Sequence, residues 1–529
     1  MKKLASILIV LSMIVLTACS GSTAPAEHSA EPTASAAPTA EVKSTYPLDF
    51  FRSDESIQQQ EADRTLLCRV SFPALHLSQE DALAFPGLNR AITQMNAEAA
   101  SSAQAAFEQL LPLAQEEYSA ALAAEAEGTG AGKETAEFTA ASRTVTASLP
   151  RADSRAVSVL CSMETVSGGT VSDTFYYSAN FDSATGNSLT LGDVVSDLPG
   201  FRDRLEAGLR AKYPQADFNR LEDGLNGYMA DTTSLTWTLD YQGLSVFFAP
   251  GTIAAHEDGM LSCTIRFSEK LSLFNLYYTV TPTAYAVPLI SGVCYDYDLD
   301  LDDKADDISV KFKYAQDESI ESLIISVNGK EYTANTPMLY CDMYLVRPGT
   351  GASYLFISAQ NLTGYGYISV YRLDRSGASL AGMQYESSLY ATAYTSACPG
   401  AVVLTDPGSF MMGTRLQYLG TLTGLKVYYT GTDGLPASRD SYYQLYGGNT
   451  LTLKRELATA TIDGQGSGIF AAQTFPIGTR FDFWRADGSG AVDVYADDGS
   501  FCRLYVSGKP GAQNVNGMPV DDVFDGVEY

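Results

Sequence analysis

The chain has 529 residues, with 62 acidic against 34 basic side chains and a formal net charge of −28 at pH 7. Such an excess of acid excludes docking on nucleic acid or on anionic lipid headgroups, both of which need a basic surface. Tyrosine is abundant at 32 while charged residues make up only 18%, which suits a sheet-rich extracytoplasmic protein, and the eight cysteines include no CxxC pair of the zinc or redox kind.

From the amino terminus, Lys2 and Lys3 precede an apolar run, Leu4 to Val15. That run is too short for a membrane span of roughly 20 residues. It ends in Leu16-Thr17-Ala18-Cys19, which resembles a bacterial lipobox. The resemblance implies a signal peptide over 1–18, cleavage before Cys19 and lipidation of the Cys19 thiol and new amino group. The alternative is an ordinary secretory signal with an incidental cysteine. Residues 19–44 are rich in Ala, Pro, Ser, Thr and Glu, with no large apolar residue before Val42. They bury too little surface to offset chain entropy, so a flexible tether is expected. Several acyl chains anchor stably where one is marginal. The expected location is therefore the outer face of the cell membrane, with the membrane contacted through lipid and the folded body on a leash.

Removing the signal leaves 32 basic against 62 acidic residues, or −30. This charge suits calcium, a cationic protein or simple solubility. Seven cysteines remain after lipidation: Cys68, Cys161, Cys263, Cys294, Cys341, Cys398 and Cys502. Their odd number and wide spacing predict mostly buried thiols, with one or two disulfides whose pairing the spacing does not assign.

The roughly 480 residues beyond the tether suggest three domains. The first, 45–285, is expected as α+β, with helices packed on an antiparallel sheet. "RTLLCRVSFPALHL" reads as a strand. Leu88, Ile92, Met95, Ala99, Ala106 and Leu110 recur at helical spacing, and Pro112 should kink or end that helix. "RTVTASL", "RAVSVLCSM" and "DTFYYSANF" read as strands. "PGFRDRLEAGLRAKY" is a helix with Pro199 in its first turn, and "LTWTLD", "GLSVFFAP" and "LSCTIRF" are three further strands.

Over about 60–278, "PRADSRAVSVL", Gly168-Gly169, "NFDSATGNSLTLGDVVSD", "WTLDYQGLSVFFAPGTIAAHEDG" and "SCTIRFSE" come in the order found in the RsiV-type extracytoplasmic domain, which this stretch resembles. The resemblance implies a domain of the kind found in lysozyme-sensing anti-sigma factors and some peptidoglycan deacetylases. In "FDSATGNSLTLGDV", Phe181 should end a buried strand. Asp182 and Gly186 should make a turn, Leu189 and Leu191 should return to the core, and Asp193 should cap the next element. The chain departs from the family pattern at Thr170-Val171, where Ala-His is usual, and at Ala249-Pro250-Gly251, where Asn-Pro-Tyr is usual. Ligand contacts made by the family's His or Tyr do not transfer. Neither a cytoplasmic segment before a membrane span nor a deacetylase Thr-Phe-Asp-Asp-Gly motif is present; "ADDGS" at 496–500 reads as a turn.

A β-rich region, propeller-like or sandwich, is expected over 290–460, and it opens on an acidic loop. Asp296 to Ile308 holds seven aspartates. Asp298, Asp300, Asp302, Lys304 (through its carbonyl) and Asp306 stand at positions 1, 3, 5, 7 and 9 of a loop that would suit a structural Ca²⁺. Asp303 stands at position 6, where Gly is usual, and Ser309 replaces the glutamate of an EF-hand. A solvated acidic turn without metal remains the alternative. A catalytic carboxylate pair lacks a neighbouring base, nucleophile or sugar platform. Beyond it, "SVKFKY", "SLIISVNGKEYT", "SYLFISAQ", "YISVYRL" and "LKVYYT" read as strands. "TGYGYISVYRL" offers either strand packing or a sugar-stacking surface.

Residues 461–529 are expected as a small barrel, with hairpin turns at Asp487-Gly488 and Asp498-Gly499. Trp484 beside Arg485 is either a core edge or a binding handle.

His28, His76 and His256 have no zinc-ligand spacing, and no Gly-x-Ser-x-Gly elbow or Gly-rich phosphate loop occurs. The expected function is a non-catalytic, lipid-anchored binding or sensing protein of the cell envelope, contacting cell-wall glycan or a cationic secreted protein such as lysozyme. A cell-wall hydrolase with an unrecognised site and a purely structural lipoprotein are the alternatives.

Overall fold

The apolar alternation of "RTLLCRVSFPALHL" forms the strand Leu66–Leu77. Its antiparallel partner, Phe50–Gln60, was not expected, because the outer half of that strand is polar and exposed. Leu66–Leu77 also pairs in parallel with Ala141–Ala152, Cys68 opposite Ala141. A parallel pair needs a long crossover, and the helix Pro86–Glu127 supplies it. Its Ala103, Ala106, Leu110 and Ala114 pack on Cys68, Val70 and Ala141. The helix does not end at Pro112. Pro112 lies on the solvent side, where water can satisfy the carbonyl that loses its N–H partner.

The computed structural model describes residues 44–127, 138–171, 174–315, 319–349, 351–363, 365–385, 387–389, 400–463 and 469–528, and those from Thr45 onward belong to one compact unit, 45–529. Cys19, the signal peptide, the tether up to residue 43 and Cys398 lie outside the described residues. Among those described, the fold is β-rich with few helices and its strands form five sheets. No helix there is long and apolar enough to cross a membrane.

The N-terminal sheet continues through Ala156–Ser167 and Phe175–Asp182. Phe181 is buried at the end of its strand, and Gly186 donates to the Asp182 carbonyl in the expected turn, at φ +76°. Thr190 is the N-cap of the next short helix, with Asp193 as its reciprocal capping partner. Beside this sheet, Leu198–Lys212 and Leu221–Ala230 bury Phe201, Leu205, Leu209 and Leu225 against the three-stranded sheet of Thr236–Leu239, Gly243–Phe248 and Leu261–Arg266. Helices on this antiparallel sheet are what the sequence implied; the larger N-terminal sheet is instead mixed, through its parallel pair, and Leu221–Ala230 was not expected.

A five-stranded antiparallel sheet lies at the centre: Tyr285–Leu289, Tyr340–Arg347, Ser353–Gln360, Gly366–Asp374 and Gly377–Tyr385. Successive side chains of a strand point to opposite faces. Val346, Phe356, Ile368 and Val370 therefore enter one core with Phe50, Phe51, Ile92, Phe410 and Leu425. Leu345, Leu355, Ile357 and Tyr371 enter another, with Ile308, Val310, Leu323 and Ile325 of the four-stranded sheet. Strict alternation in "SYLFISAQ" thus separates two cores rather than core from solvent; Ser353 to Ala359 are all buried. Together the five- and four-stranded sheets make a sandwich.

Strands on both sides of residue 460 join one large sheet, Tyr443 opposite Ala486. Among the described residues no sheet closes into a barrel, which corrects the expectation for 461–529. The strand path runs open from Ser387–Ser388 to Ile469–Phe475 because earlier strands, such as Leu422–Thr430, extend the ladder instead of leaving it to close on itself. Ala401–Val403 leaves this region to pair with Phe50–Arg52, so the segments expected as modules share sheets and cores.

Cys68, Cys161, Cys263, Cys294, Cys341 and Cys502 are free thiols. The expected disulfides do not form among the described residues. Burial pushes Cys161 up to about 11 and Cys263 and Cys502 up to about 12, so these thiols pack and stay protonated.

Candidate functional site

The acidic loop is a tight connection between Cys294–Tyr297 and Asp306–Tyr314, Tyr297 opposite Asp306. Buried Asp298 is its hub. One carboxylate oxygen accepts the N–H of Asp302 at 3.1 Å, the other that of Asp303 at 2.8 Å. Gln242 grips the Asp298 backbone on both sides, accepting its N–H at 2.8 Å and donating to its carbonyl at 3.1 Å. Arg347 donates to the same carbonyl at 2.9 Å. Asp303 takes the left-handed place usual for Gly, at φ +64°. Asp306 accepts from the Leu299 N–H at 3.1 Å and from Asn328 Nδ2 at 2.8 Å.

These constraints bring carboxylate oxygens of Asp298, Asp300 and Asp306 within 4.8 Å of one another. Asp302 is not in that group. Lys304 points outward, 74% exposed, with Nζ 3.5 Å from the Asp302 carboxylate. A residue the loop itself does not contain completes the cluster. Arg375, from the turn between Gly366–Asp374 and Gly377–Tyr385, sets Nε 3.3 Å from Asp300 and 3.4 Å from Asp306, and donates through Nη2 to Asp302. Arg266 donates to the Asp303 carbonyl at 2.8 Å. The donors are hard oxygens of the kind Ca²⁺ takes, but a guanidinium already stands among them. An ion entering there has to displace Arg375.

A different place has the shape of a binding site. A cleft of about 1430 Å³ opens between the end of the central sheet and the large C-terminal sheet. Tyr365, Tyr367 and Tyr385 lie on one wall, Tyr418, Tyr443 and Tyr446 on the other. The strand Ser387–Ser388 is the seam: it pairs with Gly413 and Thr414, while Ser388 presses on Gly366. A Cβ at Gly366 would stand 2.4 Å from the Ser388 hydroxyl, so only glycine permits this approach. Asn361 Oδ1 accepts from the N–H groups of Thr363 and Tyr365, making the turn that presents Tyr365. On the far wall Tyr443 lies over Gly488, at φ +83°, in the expected Asp487-Gly488 turn, with Lys426 Nζ 3.9 Å from its ring centre. Beneath, burial pushes the Tyr428 hydroxyl's pKa up, with Tyr443 adding to the shift and Ser387 and Gln384 opposing it.

Arg415 is the one charged side chain among the described residues lining this cleft. An adjoining pocket of about 360 Å³ adds Glu528. Neither lining contains a second carboxylate, a histidine or a cysteine among the described residues; its polar groups are hydroxyls, amides and the Arg415 guanidinium, with Glu528 in the adjoining pocket. Of the six tyrosines, the sequence singled out only Tyr365 and Tyr367, in "TGYGYISVYRL". Tyr418, Tyr443 and Tyr446 carry no spacing signal and reach the cleft through tertiary pairing.

The remaining candidates lie elsewhere in the fold. His76 contacts the Ser53 hydroxyl at 3.3 Å, and burial lowers its pKa. His256 lies in an exposed turn. Trp484 packs on Phe501 and lies under Arg485, whose guanidinium is bound to buried Asp493 at 2.8 Å.

No family model and no curated protein matches the chain. Among solved structures it is similar to a member of the DUF3298 family from Bacteroides fragilis, at 14% identity and a TM-score of 0.31, covering 43% of this chain and 94% of that one. It is also similar to a DUF3298 family protein from Pseudomonas aeruginosa, at 14% identity and a TM-score of 0.27, covering 45% and 98%. Likeness at this level sets neither the family nor the function of the chain.

Proposed function

We propose that the protein is a non-catalytic binding or sensing protein of the bacterial envelope, held on the outer face of the membrane through lipidated Cys19, with an RsiV-type domain over about 60–278 and its recognition surface in the tyrosine cleft. The observation that carries this reading is the cleft lining: rings, hydroxyls and amides surround a large opening, and Arg415 is the one charged side chain among the described residues there. Cell-wall material is the partner this surface suits. The net charge of −28 favours a second reading, capture of a cationic secreted protein such as lysozyme.

Two measurements test the proposal. Cys19→Ser should release the protein from the membrane fraction; unchanged retention overturns the anchor. The released protein should co-sediment with purified cell-wall sacculi and leave them chemically intact. Absence of co-sedimentation overturns wall binding, and release of soluble fragments overturns the non-catalytic reading.

A further inference from the structure

We infer that the cleft binds a linear, uncharged glycan, gripped by tyrosine rings from its two walls. The inference rests on the binding reading above and names its ligand class. Size comes first. Small-molecule pockets run to about 300–1,000 Å³, and about 1430 Å³ exceeds that range. A single sugar would rattle there, whereas several linked rings would fill it.

Chemistry comes second. A pyranose ring offers an apolar C–H face and a rim of hydroxyls. A tyrosine matches both, with an aromatic face for the C–H groups and a phenol for the hydroxyls. Tyr385 and Tyr365 are 69% and 46% exposed at the cleft. Contiguous apolar surface left in water marks a binding site, and these two rings share one wall of the cleft. Tyr443, by contrast, is fixed from below by Gly488 and Lys426, a rigid platform facing these more open rings.

Charge decides the rest. An anionic polymer entering a chain of net charge −28 needs several cations to hold it, and the described lining supplies one, Arg415. A cationic protein needs carboxylates, and the described cleft lining supplies none. Electrostatic complementarity therefore favours a neutral ligand, recognised by stacking and hydrogen bonds alone. Polymers of hexose or N-acetylhexosamine have this chemistry, whether free or built into the wall.

The test is calorimetric titration of the soluble Cys19→Ser protein with chitotetraose, cellotetraose and an acidic tetragalacturonate, alongside sacculi co-sedimentation. The expected result is binding of at least one neutral tetrasaccharide, far weaker binding of its monosaccharide, and none of the acidic oligomer. In the same background, Tyr385→Ala and Tyr365→Ala should each weaken binding about tenfold with an unchanged melting temperature. Tyr443→Phe keeps the ring and should lose less. Sacculi binding without any neutral oligosaccharide binding overturns the glycan inference while leaving the binding reading intact. Loss of both overturns both. Oligosaccharide binding that ignores all three tyrosine changes places the site elsewhere and overturns the inference.

Discussion

The acidic loop and the tyrosine cleft are opposites. The loop concentrates charge, and its two buried carboxylates, Asp298 and Asp306, spend theirs inside the fold on backbone N–H groups, on Asn328 and on Arg375, while Asp300, Asp302 and Asp303 stay at the surface. The cleft carries almost no charge and keeps exposed rings over a large opening. A dense run of aspartates is conspicuous in a sequence, but carboxylates drawn together in a fold must find partners or be solvated. Conspicuous chemistry here became scaffold, and inconspicuous tyrosines became the surface. Changes in the loop should accordingly cost stability, and changes at the exposed cleft rings should cost binding.

The largest stability effect should come from Asp306→Ala. It leaves the buried Leu299 N–H and Asn328 amide without their acceptor and Arg375 without one of its carboxylates. A loss of about 3–5 kcal/mol is expected in urea unfolding, with glycan binding of the surviving folded fraction unchanged. A loss below about 0.5 kcal/mol, the range of ordinary surface substitutions, would erase the contrast between the two regions.

Asp240 tests how the loop is held from behind. It caps the turn bearing Gln242, accepting from the Gln242 and Gly243 N–H groups at 2.6 Å each. Complete burial pushes its carboxyl from 3.8 up to about 6, against these hydrogen bonds and Arg151. Between those values the folded chain keeps a proton that the unfolded chain has released. Its contribution is therefore complete below about pH 4 and is lost as pH rises toward 6, by on the order of 3 kcal/mol for about two pH units. Asp240→Asn retains the acceptor oxygen and should flatten that slope. An unchanged slope in pH-dependent unfolding would show that Asp240 does not titrate this way.

The smallest effect concerns the cation. Arg375→Met removes the guanidinium from among Asp300, Asp302 and Asp306. The variant should melt lower than the parent in EDTA and recover with Ca²⁺, while the parent shows little response to the ion. A parent that melts equally well with and without Ca²⁺, together with a variant that Ca²⁺ fails to rescue, would leave the loop as an arginine-closed turn and exclude the metal reading.

Much of the architecture was legible. The strand signal in "RAVSVLCSM" and the helical spacing from Leu88 to Leu110 reflect how each element meets its cores, so they survive into the fold. Asp487-Gly488 and Asp182-Gly186 are turns because few other residues tolerate their backbone geometry. Phe50–Gln60 was illegible, since its outer half gains its place from backbone pairing rather than from side-chain burial. The barrel failed for a related reason: local strand signals do not say which strand pairs with which.

By itself the sequence determined a strongly acidic, strand-rich chain, the positions of its two longest described helices, of many strands and of several tight turns, and the bend that Asp298 to Asp306 must make. These arise from forces acting between residues near one another in the chain. Only the tertiary structure decided that Arg375 closes the acidic loop from 69 positions beyond Asp306, that the central sheet serves two cores, and that six scattered tyrosines face one opening. Contacts of that separation depend on how the sheets stack, and no local pattern of residues encodes it.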